Sequence, residues 1–420
     1  MGAVEISSAF DAGNIEVVDA SDATKPITLK VPDDPYTELE KKNHKQWFYF
    51  RASGELQGKK TTYSIVNAGQ CAYPEAWPGT TVCYSYCRQD WKRCVDTVYD
   101  KTSGALTWTH DAESDVVYYA YFAPYSHERH LDLISNCAMT KDVKVRSLGK
   151  TLDGRSLDMV EMGAPVASKP LNVWIIHRQH PGESQAEWFA EGLLERLLAK
   201  SDGLTLDLLK TCRFRIIPSM NPDGAYRGYL RVNAGGQNLN REWGPTGDYA
   251  APTLERSPEV FHALAEMDKT GVDFFIDVHG DEELPYCFLA GSEGSPKWGA
   301  RLEGLQGVFT NSYNRANPDL QVKISYEPDA PGQSNLAICS NQIANRFDCL
   351  ATTLEMPYKD CLTNSDPERG WSPARCKALG ASLVDAIAAS KPFLRTAEPF
   401  WEKMADQDKY IAPVAGGPLG

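Results

Sequence analysis

A short polar segment follows the apolar run Leu171–Ile176, and its residue types are suited to binding a metal ion. The segment contains His180 and Glu183, three positions apart, on a predicted turn at the carboxyl end of a predicted strand. An imidazole and a carboxylate at this spacing can reach one divalent cation, and the pair suits zinc. Two ligands do not complete a site, so a third ligand has to come from elsewhere in the chain.

Three further predicted strands are followed by polar residues. The run Arg213–Pro218 precedes a donor-rich segment at 221–241, Val272–Val278 precedes His279, and Cys349–Glu355 ends in a carboxylate. In open α/β sheets, functional groups gather beyond the carboxyl ends of the strands. Taken alone, such a histidine is more often a hydrogen-bonded core residue, and such a carboxylate an ion-pair partner. Together, two imidazoles and a carboxylate leave zinc one open position for water, which is the composition of a hydrolytic site.

The elements that must position these groups are predicted from the apolar pattern. Nearly continuous apolar runs are typical of strands covered on both faces, as found in α/β proteins. Helices are predicted between the strands, because apolar residues recur at helical spacing or a Ser-Pro pair marks a helix start. The predicted helices are Ser184–Lys200, Ser257–Gly271 and Ser372–Ser390. The order of elements predicts an α/β domain over residues 124–395.

The chain before that domain has a different pattern. Short runs of aromatic and β-branched residues alternate with turn residues, which predicts an all-β sandwich domain over residues 1–123. The predicted strands are Gln46–Ala52, Lys60–Val66, Ala105–His110 and Asp115–Phe122. The segment Gly54–Thr61 has the wrong glycine spacing for a phosphate-binding loop and favours a hairpin. Residues 396–420 are polar, and we expect this tail to be loose.

Composition excludes several classes of function. The 420 residues carry a formal net charge of −13, which argues against a non-specific nucleic-acid binder, because such proteins present a basic face. The first residues lack the basic and apolar regions of a signal peptide, and no apolar run approaches the roughly 18 residues of a membrane span. The sequence gives no prediction of the oligomeric state.

The 11 cysteines are an odd number scattered over a long chain, which predicts reduced thiols in the cytoplasm rather than a disulfide framework. Cys83, Cys87 and Cys94 are close enough in sequence to be weighed as metal ligands. A structural zinc site needs a fourth ligand and tighter pairing. We therefore interpret these three residues as buried small hydrophobic side chains.

The motifs together resemble the zinc carboxypeptidases, also called funnelins. The resemblance is carried by His180-Pro-Gly-Glu183, Asn221-Pro-Asp-Gly224, Asn240-Arg241, His279 and Glu355, in this order and spacing. A fuller pattern, Arg178-x-His-Pro-Gly-Glu-Ser together with Gln46-Trp-Phe-Tyr-Phe-Arg51, is similar to the cytosolic carboxypeptidase branch. The resemblance spans about residues 8 to 395. It implies a mixed, mostly parallel sheet flanked by helices after the β-sandwich.

The resemblance also implies a role for each matched residue. His180, Glu183 and His279 would bind Zn²⁺. Glu355 would act as the general base, and Arg231 would polarise the scissile carbonyl. Asn240 and Arg241 would hold the terminal carboxylate of the substrate, since a planar guanidinium suits a carboxylate. The expected protein is a cytoplasmic zinc metallocarboxypeptidase that acts on the C-terminus of a peptide or protein.

Two positions depart from the family pattern. Asn238 stands where an aspartate is expected to orient His180, and an amide brings no negative charge to that imidazole. Ser340 stands where members that remove glutamate are expected to have a basic residue. Arg178 or Arg346 could supply the positive charge instead, so an acidic C-terminal residue is one expected substrate. Tyr326 is a candidate for a tyrosine that gates the substrate.

Two alternatives stay open at the level of the sequence. An amidase of the same fold could act on a small N-acyl amino acid or a side-chain amide. A non-catalytic binding protein could keep the fold with a vestigial site, but the complete ligand set with Glu355 and Arg231 argues against this alternative.

Overall fold

The computed structural model describes residues 4–22, 24–35, 44–163, 166, 169–247 and 249–416. Its N-terminal strands form two five-stranded sheets, ordered β1-β4-β10-β6-β7 and β2-β3-β5-β9-β8. The strands are β1 (Glu5–Ser7), β2 (Glu16–Asp19), β3 (Ile27–Lys30), β4 (Tyr49–Ser53), β5 (Lys60–Ile65), β6 (Val82–Ser85), β7 (Lys92–Cys94), β8 (Val98–Asp100), β9 (Ala105–Asp111) and β10 (Val116–Ala120). The four strands predicted from aromatic and β-branched runs correspond to β4, β5, β9 and β10.

Aromatic rings from the two sheets meet between them. Phe50 and Tyr119 belong to the first sheet, and Tyr63 and Trp108 belong to the second. The ring centroids of Tyr63 and Tyr119 lie 4.8 Å apart, those of Phe50 and Trp108 lie 6.2 Å apart, and all four rings are buried. Side chains alternate between the faces of a strand, so each run could supply one apolar face to this core. The all-β fold of the N-terminal region is confirmed, whereas its boundary at residue 123 stays a prediction.

The rest of the chain is α/β. Its elements are α1 (His127–Met139), β11 (Val143–Lys150), β12 (Ser156–Met162), β13 (Leu171–His177), α2 (Gln185–Ala199), α3 (Gly203–Thr211), β14 (Cys212–Ile217), α4 (Pro222–Arg227), α5 (Pro258–Thr270), β15 (Phe274–Val278), β16 (Phe288–Ala290), α6 (Ala300–Ala316), β17 (Ile324–Ser325), α7 (Cys339–Phe347), β18 (Leu350–Glu355), α8 (Pro373–Ser390) and β19 (Val414–Ala415). Seven strands form one sheet, ordered β11-β12-β14-β13-β15-β18-β16. The central strands β14, β13, β15 and β18 are parallel, and antiparallel strands flank them on both sides.

Helices cover both faces of the seven-stranded sheet. Val173 and Ile175 on β13 pack in the same cluster as residues of α2, α6 and α8. Trp174 and Ile176 face the other way and pack in a cluster with residues of α5 and α7. This two-sided burial explains why the strand is apolar at nearly every position, and it confirms the mixed α/β fold. The carboxyl ends of β13, β14, β15 and β18 therefore meet at one edge of the sheet.

Helix α2 is buried on its acidic side as well as its apolar side. Glu187 is 1% exposed and forms an ion pair with the buried Arg178. Glu191 is 7% exposed, and its carboxylate accepts two hydrogen bonds from Arg129, at 2.8 and 2.7 Å. A buried carboxylate is tolerated when a cation and hydrogen bonds satisfy it.

The expectation of a loose tail is wrong for the described residues up to 416. Val414 and Ala415 pair in parallel with Ile324 and Ser325. Phe400 stacks on Phe393 with ring centroids 4.7 Å apart, so apolar contacts hold the segment although its composition is polar. A tail can thus be polar on average and still be fixed by a few aromatic anchors.

The described residues also bear on the cysteines and on membrane association. All 11 cysteines are free thiols, and Cys83 and Cys94 are buried as expected, but Cys87 is exposed. The thiol of Cys87 accepts a hydrogen bond from the backbone N–H of Asp90 at 3.5 Å. Within the described ranges, no helix combines the length and the apolar composition that crossing a bilayer requires.

Candidate active site and metal centre

Three buried side chains converge at the carboxyl edge of the sheet. His180 and Glu183 lie in the turn between β13 and α2, and His279 directly follows β15. Their exposed fractions are 4%, 2% and 1%, and one ligand atom from each lies within 4.8 Å of the others. Nδ1 of His180 is 2.6 Å from Oε1 of Glu183, and Nδ1 of His279 is 2.8 Å from Oε2 of the same carboxylate.

The outer nitrogen of each imidazole lies close to a side-chain oxygen. Nε2 of His180 lies 3.0 Å from Oδ1 of Asn238, and this oxygen also accepts the backbone N–H of Asn240 at 3.1 Å. Nε2 of His279 lies 2.8 Å from Oδ2 of Asp277. When each Nε2 carries the hydrogen, the two Nδ1 atoms, 3.2 Å apart, face each other with lone pairs. Two lone pairs and a carboxylate repel one another unless a cation lies between them, so this donor set fits zinc.

Electrostatics at the two imidazoles agree with that fit. Burial lowers the pKa of His180 to about 4, which favours the neutral form that binds metals. Burial also acts to lower the pKa of His279, but the carboxylates of Asp277 and Glu183 outweigh it and raise that pKa well above its usual value. The two carboxylates thus favour a positive charge at this position, and a divalent cation would supply it.

Arg178 supports the turn that carries the first two of these side chains. Its backbone is left-handed, with φ of 57°, and its guanidinium is buried. Its Nε donates to the carbonyl of Pro181 at 2.8 Å, and its Nη1 donates to the carbonyl of Tyr125 at 2.9 Å and to Glu187. These contacts hold the guanidinium in the protein interior, and Arg178 does not line the cavity that His180 and Glu183 line, so its position gives no support to the predicted substrate-binding role.

Arg346 is also away from the site. It lies in the last turn of α7, and its guanidinium forms two hydrogen bonds to the carboxylate of Asp268, at 2.6 and 2.7 Å. The Arg346 side chain is 40% exposed and does not line the cavity beside the metal group. The substrate-binding role predicted for Arg346 is therefore corrected, because α7 presents this residue to solvent rather than to the site.

A cavity of about 460 Å³ is lined by His180, Glu183 and Gly280, the residue that follows His279. Glu355, the last residue of β18, lines this cavity and is 7% exposed. Its Oε2 is buried and has no hydrogen-bond partner among the residues that the structure describes. Burial raises the pKa of Glu355 well above its usual value, although the neighbouring His279 acts to lower it. A carboxylate whose pKa is raised toward neutrality is suited to general base chemistry.

Three predicted substrate-side residues line the same cavity. Arg231, Asn240 and Arg241 are all among its lining residues. Oδ1 of Asn240 accepts the backbone N–H of Cys339 at 2.8 Å, so its amide nitrogen is the group it can offer to a substrate carboxylate. Nη1 of Arg241 donates to the carbonyl of Asn240 at 2.8 Å, within the 3₁₀ helix Leu239–Arg241. A short helix and the start of α7 together fix this pair.

The segment with Arg231 is held by the N-terminal region. Asp34 is 4% exposed, and its Oδ2 accepts the backbone N–H groups of Leu230 at 3.0 Å and Arg231 at 3.3 Å. Tyr73, from the same region, lines the cavity. No local pattern could have indicated Asp34, which lies 197 positions before Arg231. A signal did exist for Asp277, since it lies two residues before His279.

Three further residues lie in or beneath the site. Tyr326 lines the cavity and donates its hydroxyl to Oδ2 of Asp281 at 2.7 Å. Ser340 lines the cavity, with its Oγ 3.0 Å from Oγ1 of Thr353. His177, buried beneath the site, has its Nδ1 2.9 Å from the carbonyl of Ile217, which is a structural contact.

The fold and the buried group of two imidazoles and one carboxylate fit a mononuclear metal-dependent hydrolase. Comparisons with known proteins specify the class further. Residues 6–122 match the model of the cytosolic carboxypeptidase N-terminal domain, and residues 133–339 match that of the zinc carboxypeptidases.

Individual relatives agree with these matches. An uncharacterized protein from Zymomonas mobilis is 44% identical over 385 residues, which are 92% of this chain and 96% of that protein. A metallo-carboxypeptidase from Pseudomonas aeruginosa, solved in complex with (2-guanidinoethylmercapto)succinic acid, has a TM-score of 0.86 and 40% identity, covering 93% of this chain and 100% of its own. Human cytosolic carboxypeptidase 4 is 29% identical over 293 residues, which are 59% of this chain but only 26% of that relative.

The chain belongs to the zinc carboxypeptidase family, in its cytosolic carboxypeptidase branch. It is a hydrolase of the metallocarboxypeptidase class, with zinc as its cofactor.

Proposed function

We propose that the protein removes single residues from the C-termini of peptides or proteins in the cytoplasm, and that residues around the cavity bind the substrate and carry out the reaction. One observation carries the proposal: Asn240 and Arg241 line the same cavity as the metal group and Glu355. A carboxylate clamp beside the reacting groups restricts cleavage to the last peptide bond of a chain. The cytoplasmic assignment is supported by the names of the cytosolic relatives and by the reduced thiols.

His180, Glu183 and His279 would hold the zinc ion. Zinc at these residues supplies a Lewis acid and lowers the pKa of water in the site. The outer contacts of the ligands keep the imidazoles in the orientation that binding needs, through Asn238 for His180 and Asp277 for His279.

Glu355 would move the proton in the reaction. The attacking water forms a C–O bond with the scissile carbonyl carbon, and its proton passes to a carboxylate oxygen of Glu355. When the C–N bond breaks, Glu355 returns this proton to the leaving amine nitrogen. The buried Oε2, which has no hydrogen-bond partner within the described part of the chain, and the raised pKa of Glu355 both suit this exchange.

Arg231 would stabilise the negative charge that develops on the carbonyl oxygen. A positioned donor of this kind contributes about 3 kcal/mol to the transition state. Asn240 and Arg241 would bind the terminal carboxylate, and this contact fixes the scissile bond relative to Glu355.

The acidic substrate considered from the sequence is not favoured by the described cavity. Arg346 pairs with Asp268 at the surface, Arg178 pairs with Glu187, and Ser340 contacts Thr353. These contacts leave an acidic side chain of the substrate without the basic partner that it would need. The ligand of the similar protein from P. aeruginosa carries a guanidino group as well as carboxylates, which supports a site that accepts both charges.

The test compares a peptide with a free C-terminus and the same peptide with a C-terminal amide. The zinc-loaded protein should release one residue at a time from the free acid, as detected by mass spectrometry, and should leave the amide intact because the clamp has no carboxylate to bind. Cleavage within the peptide, or equal cleavage of both peptides, would contradict the proposal.

The amidase alternative predicts a different result in the same assay. An N-acetyl amino acid would be hydrolysed, and a peptide of eight residues would not. A binding protein with a vestigial site would hydrolyse neither compound, even with zinc bound. The cavity volume of about 460 Å³ lies within the range of pockets that bind small ligands, so the volume is compatible with both enzymes. The length of the substrate that is hydrolysed therefore distinguishes the carboxypeptidase from the amidase.

A further inference from the structure

The part of the cavity beyond the clamp is built by the ends of two neighbouring strands. Thr353 lies two residues before Glu355 on β18 and so points to the same side of the sheet, and both residues line the cavity. Ala290, at the end of β16, pairs with Thr353 and also lines the cavity. Ser340 contacts Thr353 at 3.0 Å. We call these residues the floor: Ala290, Ser340 and Thr353.

Glu293 places a carboxylate beside this floor. It follows Ala290 by three positions and folds back over Gly291, since a Cβ built on Gly291 would lie 2.5 Å from Oε1 of Glu293. The hydroxyl of Tyr410, from the C-terminal segment, donates to the same oxygen. Among the described residues no cationic side chain forms an ion pair with Glu293, and burial raises the pKa of its carboxyl.

The rest of the lining is also rich in carboxyl groups. Outside the metal group and Glu355, six carboxylate residues line the cavity: Asp281, Glu282, Glu283, Glu293, Glu327 and Asp329. The guanidinium groups in the described lining belong to Arg231 and Arg241, which the proposed function assigns to the carbonyl oxygen and the terminal carboxylate. Opposite charge in the pocket favours a cationic guest and opposes an anionic one.

We propose that the cavity selects peptides whose C-terminal residue is lysine or arginine, with Glu293 as the counter-charge for that side chain. This inference rests on the proposed function, because the clamp must first place the last residue of the substrate over the floor. The hydroxyls of Ser340 and Thr353 can accept hydrogen bonds from a guanidinium or ammonium group. Tyr410 keeps the Glu293 carboxylate at the floor by its hydrogen bond.

The test measures kcat/KM of the zinc-loaded full chain on peptides that differ only in the last residue: arginine, lysine, glutamine or glutamate. Arginine and lysine should exceed glutamate by about tenfold or more, since a close charge pair is worth at least about 1.4 kcal/mol when partly buried. Glu293→Gln keeps an acceptor for Tyr410 but removes the charge. It should therefore lower kcat/KM for the peptide that ends in arginine and leave kcat/KM for the peptide that ends in glutamine unchanged.

Two variants complement the loss of charge at Glu293. Glu398→Gln removes an exposed carboxylate that does not line the cavity, so it should keep the preference for basic residues. Tyr410→Phe keeps the charge but removes the hydrogen bond that positions it, so it should reduce the preference less than Glu293→Gln does. A wild-type preference for glutamate, or an unchanged ranking in Glu293→Gln, would overturn the inference.

A failure of the proposed function gives a separate result, because then none of the four peptides is hydrolysed. In that case calorimetry of the zinc-loaded protein with Nα-acetyl-arginine and Nα-acetyl-glutamate still tests the charge preference. Tighter binding of the arginine derivative supports the inference, and equal or weaker binding contradicts it.

Discussion

The two ends of the cavity are built in different ways. At the metal end, His180 and Glu183 come from one turn, and His279 ends a neighbouring strand. At the floor, Glu293 follows a short edge strand, Ser340 lies on α7, and Tyr410 comes from the C-terminal segment. The chemistry is thus encoded in short motifs, whereas the selectivity depends on segments that meet only through tertiary packing.

This difference also separates what the sequence could predict from what it could not. His180, Glu183 and Glu355 were identifiable because each follows or ends an apolar strand, and parallel strands bring their carboxyl ends together. The position of Arg346 was misjudged, since which side of a short helix faces the cavity depends on how α7 packs on the sheet.

The first prediction concerns the charges behind the metal end. His130 is buried on α1, between Glu187 at 2.8 Å and Asp158 at 3.6 Å, and its ring stacks on His127. Burial acts to lower the pKa of His130, but hydrogen bonds with Asp158 and Glu187 raise it to about 9. Glu187 in turn binds Arg178, which holds the metal turn.

A raised folded-state pKa stabilises the protein below the unfolded value of about 6.5, and this stabilisation is lost as the pH rises through 9. Chemical denaturation at pH 6 and pH 9.5 should show a loss of about 3 kcal/mol in the free energy of unfolding. His130→Gln should reduce that loss, and Asp158→Asn should shift it to lower pH. An identical pH dependence in all three proteins would contradict this assignment.

The second prediction addresses the unequal support of the two imidazoles. Asn238 offers His180 a neutral amide, whereas Asp277 offers His279 a carboxylate. Asn238→Leu should weaken zinc binding by about 10- to 100-fold, the usual effect of removing such a partner. Competition with a chromophoric chelator measures the affinity. Asn238→Asp should bind zinc at least as tightly as the wild type. Gln237→Leu, at the half-buried neighbouring position, is the control and should leave the affinity unchanged.

The third prediction tests whether the N-terminal region contributes to the chemistry. Asp34→Ala removes the acceptor of the Leu230 and Arg231 backbone N–H groups, so the Arg231 guanidinium should lose its position. We expect kcat to fall by about tenfold with little change in KM, because Arg231 acts on charge that develops in the transition state. Asp33→Ala, next to it but paired with Lys45 near the surface, should leave kcat unchanged. A rise in KM alone would point to a different role.

The smallest effect is expected outside the cavity. Arg346→Gln breaks a surface ion pair with Asp268, which is worth about 0.2–1 kcal/mol of stability. The steady-state kinetics on every peptide should match the wild type. A changed preference for peptides with an acidic C-terminal residue would show that Arg346 acts on the substrate, and would contradict this prediction.

Some features could not have been predicted from local patterns at all. Asp34 meets Arg231 across 197 positions, and Glu293 meets Tyr410 across 117. Each contact joins segments whose own sequence signals only a loop. Their positions follow from how the sandwich and the C-terminal segment pack on the α/β region, which no residue spacing encodes.

Glu355 is the residue that we propose moves the proton for hydrolysis at the metal end. The direct measurement is kcat of zinc-loaded Glu355→Gln on the peptide that the wild type cleaves best, with zinc content determined on the same sample. We predict one zinc per chain in both proteins and a fall in kcat of about 10²–10⁴-fold, the usual contribution of a general base. A variant that retains zinc and the wild-type rate would contradict the account.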